Sequence, residues 1–252
     1  MARVLLFGGL DPSGGAGLTL DAAVVAMHAG EPLPIALANT VQNQQGFRCA
    51  RAVDERLWQA QLEAVLADGA VGAIKVGFVG CVAGVAALAT VLRDLAEHAA
   101  VVVDPVLSAT AGGFAPPTEL ARAYRERLLP LATLVTPNAP ELAALAAGDA
   151  ANLLATGVGA VLRKGGHVDG DEVVDELWLA GEPPQRFARP RLACGEVRGT
   201  GCALAAAISC HLANGRPLAE SCRLAGDWLA GLLARVRPRP NGRPRPLPLS
   251  RA

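Results

Sequence analysis

The sequence has no excess of charge: Lys plus Arg and Asp plus Glu each total 23. A zero balance leaves no electrostatic footprint for nucleic acid and gives no reason to bind an anionic membrane. No run of about 18 apolar residues occurs, so no transmembrane helix is expected. The first apolar stretch, residues 4–7, meets Gly8, Gly9 and Asp11 too soon for a signal peptide. It reads as a buried first strand, and a soluble, cytoplasmic protein is expected. Cysteines stand only at 49, 81, 194, 202, 210 and 222, with no C-x-x-C pair. Without a secretion signal they are expected to be small buried hydrophobes rather than disulfide partners. No His/Cys cluster with metal-ligand spacing occurs, and no internal repeat is evident.

What is present is alternation. Short β-branched runs at 4–7, 73–76, 101–103, 134–135 and 160–162 predict strands. Ala/Leu-rich stretches at 57–67, 82–98, 117–128, 203–212 and 218–234 predict helices. Such alternation implies an α/β fold with a mostly parallel central sheet covered on both faces. Residues 1–237 read as one domain. Residues 238–252 are rich in Pro and Arg, forbid a regular helix, and are expected to form an exposed, disordered tail.

Four segments carry candidate chemistry. The run Gly8-Gly9-Leu10-Asp11-Pro12-Ser13-Gly14-Gly15-Ala16-Gly17 follows the first strand. It is not a P-loop, because no Lys-Ser/Thr follows Gly15, and it is not a dinucleotide fingerprint, because Leu20 stands where the third glycine is needed. It is either a tight turn or a ligand-facing loop. Gly199-Thr200-Gly201-Cys202 opens an Ala-rich helix whose free N–H groups can bind an anion. Cys202 is there either as a small packed residue or as a thiol of lowered pKa able to take a proton from a hydroxyl. Asp104, Asn138 and Glu141 follow predicted strands, where ligands gather in parallel sheets and where carboxylates can hold Mg²⁺ through water. Glu141 is alternatively a first-turn helix acid. Lys164, before Gly165 and Gly166, is placed to reach a phosphate or is an ordinary surface lysine.

Taken in order, these segments resemble the hydroxymethylpyrimidine and phosphomethylpyrimidine kinases of the ribokinase superfamily, over about residues 4–234. Asp11-Pro12-Ser13-Gly14-Gly15-Ala16-Gly17 is the most family-specific piece. Thr40-Val41-Gln42-Asn43, Lys75-Val76-Gly77, Asp104-Pro105-Val106, Thr136-Pro137-Asn138, Lys164-Gly165-Gly166-His167 and Gly199-Thr200-Gly201-Cys202 reinforce it.

The resemblance implies a three-layer α/β/α ribokinase-like fold and a homodimer. It implies transfer of the γ-phosphoryl of ATP, with Mg²⁺, to the hydroxymethyl group of a thiamine-precursor pyrimidine, and then to its monophosphate. On that resemblance Gly9, Asp21, Gln42 and Val106 line the pyrimidine site. Gly199, Thr200 and Gly201 form the anion hole, with Cys202 as the base. Lys164 contacts nucleotide phosphate, Asn138 and Arg198 lie by the nucleotide, and Asp104 and Glu141 organise Mg²⁺. A pyridoxal kinase of the same superfamily and a catalytically silent binding protein on this scaffold are the alternatives.

The sequence departs from the family in four places. Arg198 stands where a histidine is common, and Phe78 where a methionine is common. The stretch 148–159 is short, and the usual Gly-His-Gly-Pro ending is replaced by the Pro/Arg tail.

Overall fold

The computed structural model describes residues 1–107, 118–239, 241 and 243–249. Nine strands form one sheet in the order β3-β2-β1-β4-β5-β6-β7-β8-β9. They are β1 (Arg3–Leu10), β2 (Glu31–Asn43), β3 (Gly46–Ala52), β4 (Ala73–Val76), β5 (Ala100–Val103), β6 (Leu134–Val135), β7 (Ala160–Arg163), β8 (Glu172–Leu179) and β9 (Gln185–Pro190). Neighbours from β2 through β7 are parallel, and β3, β8 and β9 join antiparallel. The expected mostly parallel α/β sheet is therefore observed.

The period-2 geometry of a strand sends alternate residues to opposite faces. Leu5, Phe7, Ile74, Val76, Val101, Val103, Val135 and Val161 point into one core. That core is closed by α2 (Glu55–Ala67), α3 (Val82–Leu95), α4 (Thr118–Ala123), α5 (Ala139–Ala146) and α6 (Ala150–Leu154). Val4, Leu6, Val102, Leu134 and Leu162 point the other way. There they meet α1 (Gly17–Met27), α7 (Thr200–Ala213) and α8 (Leu218–Leu233). Helix α7 is buried along Ala203–Cys210, so its small Ala side chains let it lie close on the sheet.

The expected helix over 117–128 is observed as α4 followed by a π-turn at Tyr124–Leu128, and residue 117 lies outside the described residues. Strand β2 carries Pro32 and Pro34 in its first half, which β3 does not reach, since β3 pairs only from Ala38 onward. That half borders only β1, so the missing donors break no ladder on its open side.

The expected exposed tail is corrected over 243–249. Arg245 forms a parallel bridge with Val197, donating its N–H to Glu196 O and accepting from Arg198 N–H. Leu247 is buried in the core that holds α7 and α8, with Leu249 packed against it. The physical reason is that prolines forbid a helix but permit an extended segment, and two leucines at i, i+2 supply an apolar face for it. Residues 240, 242 and 250–252 of that tail lie outside the described residues.

Candidate active site

Strand order reverses at β1, which has β2 on one side and β4 on the other. Ligand crevices open at such switch points, outside the carboxyl ends of the strands. Here the chain opens a cleft of about 530 Å³. Strands β4 to β7 each deliver a residue to it just past their ends, and β1 delivers Gly8 and Gly9 from its carboxyl end. Phe7 O accepts from Gly77 N, Val76 O from Asp104 N, Val103 O from Thr136 N, and Pro137 O from Lys164 N. These cross-links fix the strand-end loops side by side. All thirteen residues singled out from the sequence line this one cleft: Gly9, Asp21, Gln42, Val106, Asp104, Asn138, Glu141, Lys164, Arg198, Gly199, Thr200, Gly201 and Cys202.

Two glycines bring the walls together. A Cβ on Gly199 (φ +77°) would lie 2.3 Å from both Gly15 O and Leu20 Cδ2. A Cβ on Gly17 (φ +59°) would lie 2.3 Å from Gly9 O. The glycine-rich loop after β1 thus packs backbone to backbone against the loop that opens α7, which only glycine allows. No side chain caps α7, and its first residues, Thr200, Gly201 and Cys202, line the cleft.

Two buried ion pairs lie beneath. Lys164 Nζ donates to Asp104 Oδ1 at 2.8 Å and lies 3.7 Å from Glu141 Oε2. Burial pushes the Asp104 carboxyl up, but Lys164 and Lys75 outweigh it and hold it below the usual carboxylate range. Burial pushes Glu141 up to about 7, with Lys164 pulling it down and Asp104 pushing it further up. Asn138 and Glu141 also form a reciprocal capping box at the start of α5, so the two readings of Glu141, helix acid and site residue, coexist. The second pair is Lys75 Nζ to Asp21 Oδ2 at 2.7 Å. Burial raises Asp21 to about 6 against the pull of Lys75. The other oxygen, Asp21 Oδ1, is buried without a partner among the described residues.

One expectation meets an opposing effect. Desolvation pushes the Cys202 thiol up to about 12, despite Lys75 and the Gly17 N–H pulling it down. The helix-end field that predicts a lowered value loses to burial and to the nearby Asp104 and Asp21 carboxylates. Arg198 lines the cleft and sends its guanidinium to β2, donating to Asn43 O and to Gln42 Oε1 (3.0 Å).

Phe78, which stands where the family commonly has a methionine beside the substrate, lines the cleft, as do Lys75 and Phe47, to which sequence reasoning assigned no role. Lys75 sits in an otherwise apolar strand and is 0% exposed. Phe78 packs 6.0 Å, centroid to centroid, from Phe47. Arg189 and Arg191 line the opposite end of the cleft, the first bound to Asp175 and Asp227 and the second to four carbonyl oxygens of 166–172. Among the described residues no group of three or more His, Cys, Asp or Glu is arranged to enclose a metal ion. No helix among them is long and apolar enough to cross a membrane.

Comparison with known proteins agrees with this geometry. Residues 11–242 match the family model described as phosphomethylpyrimidine kinase. A hydroxymethylpyrimidine/phosphomethylpyrimidine kinase of Rhizobium meliloti (strain 1021) is 37% identical over 239 residues, 90% of this chain and 89% of the relative. Phosphomethylpyrimidine kinase from Clostridium difficile 630 superposes with a TM-score of 0.79 at 26% identity, covering 92% of this chain and 99% of that one. Bacillus subtilis pyridoxal kinase, solved as an ADP complex, superposes with a TM-score of 0.83 at 25% identity, covering 93% and 92%. The chain belongs to the phosphomethylpyrimidine kinase family.

Proposed function

We propose that this chain transfers the γ-phosphoryl of ATP to the hydroxymethyl group of 4-amino-5-hydroxymethyl-2-methylpyrimidine, and then to its monophosphate, in thiamine biosynthesis. The observation that carries this reading is the convergence of the glycine loop, the Asp21–Lys75 pair and the uncapped start of α7 on one cleft. Phosphoryl transfer asks mainly for positioning and for compensation of charge on the transferring oxygens.

Each part has a task in that reaction. Asp21 Oδ1, buried and unpartnered, accepts from the amino group of the pyrimidine, while Gln42 offers amide groups and Gly9 and Val106 shape the site. The backbone N–H groups of Gly199, Thr200 and Gly201 receive the phosphoryl oxygens. Lys164 belongs to the same locus, because a Cβ on Gly201 would lie 3.1 Å from its Nζ. Cys202, through the small fraction of its thiol that is ionised, takes the hydroxyl proton. Asn138 and Arg198 complete the donor side, Arg198 through its backbone position before the anion loop.

Asp104 and Glu141 fit Mg²⁺. Both are hard oxygen donors, and they share Lys164, which lies 2.8 Å from Asp104 Oδ1 and 3.7 Å from Glu141 Oε2. As oxygen donors they would hold the ion largely through water, and the ion would supply charge neutralisation at the nucleotide phosphates. A homodimer and a cytoplasmic location accompany the reading.

The superposition on pyridoxal kinase favours a second acceptor, pyridoxal, in the same cleft. The test is a panel of the pyrimidine, its monophosphate and pyridoxal with Mg-ATP, products identified by mass. Phosphorylated pyrimidine supports the first reading. Phosphorylated pyridoxal alone supports the second, and no product with any acceptor leaves a silent binding protein.

A further inference from the structure

Three loops from distant parts of the chain meet at the acceptor end of the cleft. They are the glycine loop after β1, the turn joining β2 to β3, and the segment entering α7. Gln44 Nε2 reaches Ser13 O at 3.4 Å, tying the second to the first. Arg198 ties the third to the second, across 155 positions of sequence, through its bonds to Asn43 O and Gln42 Oε1. Arg198 is only 5% exposed, and its own backbone N–H is held by Arg245 O at 2.9 Å.

The donor inventory then fixes Gln42. A guanidinium has donors only, so the side of the amide that faces Arg198 must be its oxygen. The nitrogen side donates to Thr40 Oγ1 at 2.9 Å. The Thr40 hydroxyl is free to accept, because its hydrogen is already given to Leu10 O at 2.7 Å. Gln42 therefore cannot flip without placing its NH₂ against the guanidinium. One N–H and one oxygen lone pair are left over, and Gln42 lines the cleft.

We propose that Arg198 is a positioning residue that sets acceptor specificity: it locks the amide orientation of Gln42 and pins the β2–β3 turn to the phosphate loop. Recognition of the acceptor ring and placement of the anion hole are thereby joined through one side chain. Arg198 acts through Gln42, its guanidinium being committed to Asn43 O and Gln42 Oε1. The acceptor class is a flat heteroaromatic ring whose edge presents a donor and an acceptor side by side. This inference rests on the kinase reading above and deepens it.

The test compares Arg198→Met, Arg198→Lys, Gln42→Leu and the Arg198→Met/Gln42→Leu pair. Steady-state kinetics use Mg-ATP with the hydroxymethylpyrimidine, and nucleotide Kd is measured without acceptor. Arg198→Met is expected to raise the KM for the pyrimidine roughly 10-fold or more, the worth of a lost charged hydrogen bond, with nucleotide Kd unchanged. The double variant is expected to be no worse than Gln42→Leu, because both remove one unit. Arg198→Lys, with a point charge in place of a fork, is expected to recover part of the loss. Should Arg198→Met unfold, the Lys variant with and without Gln42→Leu reads the same coupling. An unchanged pyrimidine KM, additive losses, or a nucleotide Kd that weakens in step would overturn the proposal. If the wild type accepts only pyridoxal, the pyrimidine reading alone falls, and the same variants are read on pyridoxal.

Discussion

Lys75 Nζ lies 2.7 Å from Asp21 Oδ2, and neither side chain is exposed to solvent. Removing one partner of such a pair leaves an uncompensated charge, which costs more than the pair itself contributes. Lys75→Met is therefore expected to lose about 3–5 kcal/mol of stability at neutral pH. Asp21 is already raised to about 6, and losing Lys75 drives it higher, so the penalty should fade as pH falls and the carboxyl takes a proton. Lys75→Met/Asp21→Asn, which removes both charges, should recover most of the loss. Denaturant unfolding at several pH values checks this, and a pH-independent loss would refute it.

Glu141 should show a trade of activity for stability. Its folded value, about 7, lies above its ordinary 4.5. A raised carboxyl contributes its stability below the unfolded pKa and loses it as pH rises through the folded one. Above pH 8 the ionised form thus costs stability. Glu141→Gln is expected to raise the melting temperature at pH 8 and leave it nearly unchanged near pH 4. The same variant should lose about 2–4 kcal/mol of transition-state stabilisation in Mg²⁺-dependent turnover. Equal melting shifts at both pH values, or unchanged turnover across a Mg²⁺ titration, would remove Glu141 from the site.

The strands that were legible in the sequence are the ones buried on both faces, such as β4 and β6, because their apolar runs admit few other readings. Strands β2, β8 and β9 were not, since their faces mix buried with exposed positions and β2 carries prolines. Gly199, Gly201, Asp104 and Glu141 stood out locally as glycines and strand-end acids, whereas Asp21, Gln42 and Val106 were singled out only through the family resemblance. The partners were not legible: nothing local says that Arg198 reaches Gln42, or that Lys75 faces Asp21. Those contacts arise only when the sheet brings the loops together.

The terminal segment should matter to the fold. Leu247 is 6% exposed within the α7–α8 core, and Arg245 pairs with the stretch leading to the anion loop. Leu247→Ala is expected to cost about 2–3 kcal/mol, the low end for a buried leucine, since the site lies near the surface. Deleting residues 243–252 should cost at least as much and raise the nucleotide KM through the loosened loop. A truncated chain with unchanged melting temperature and kinetics would show that the segment contributes nothing.

Cys202 separates two chemistries by its pH profile. With its thiol pushed up to about 12, almost none is ionised in the unliganded site at neutral pH. Cys202 should therefore alkylate far more slowly than the exposed Cys49 when peptides are mapped after iodoacetamide at pH 7.5. If its thiolate accepts the hydroxyl proton, turnover should climb with pH through the neutral range, following the ionised fraction. Cys202→Ser should then lose roughly 10²–10⁴ in rate and flatten the profile. Nucleotide affinity should persist, because the N–H groups of 199–201 remain. Cys202→Asp should recover some rate and move the rise to lower pH, since a carboxylate ionises earlier. A serine variant with the wild-type rate and the wild-type profile would leave Cys202 as a packing residue. The burden of catalysis would then lie with the anion loop, Lys164 and the charge around Asp104, which suffices for a loose phosphoryl-transfer transition state in which the proton departs late.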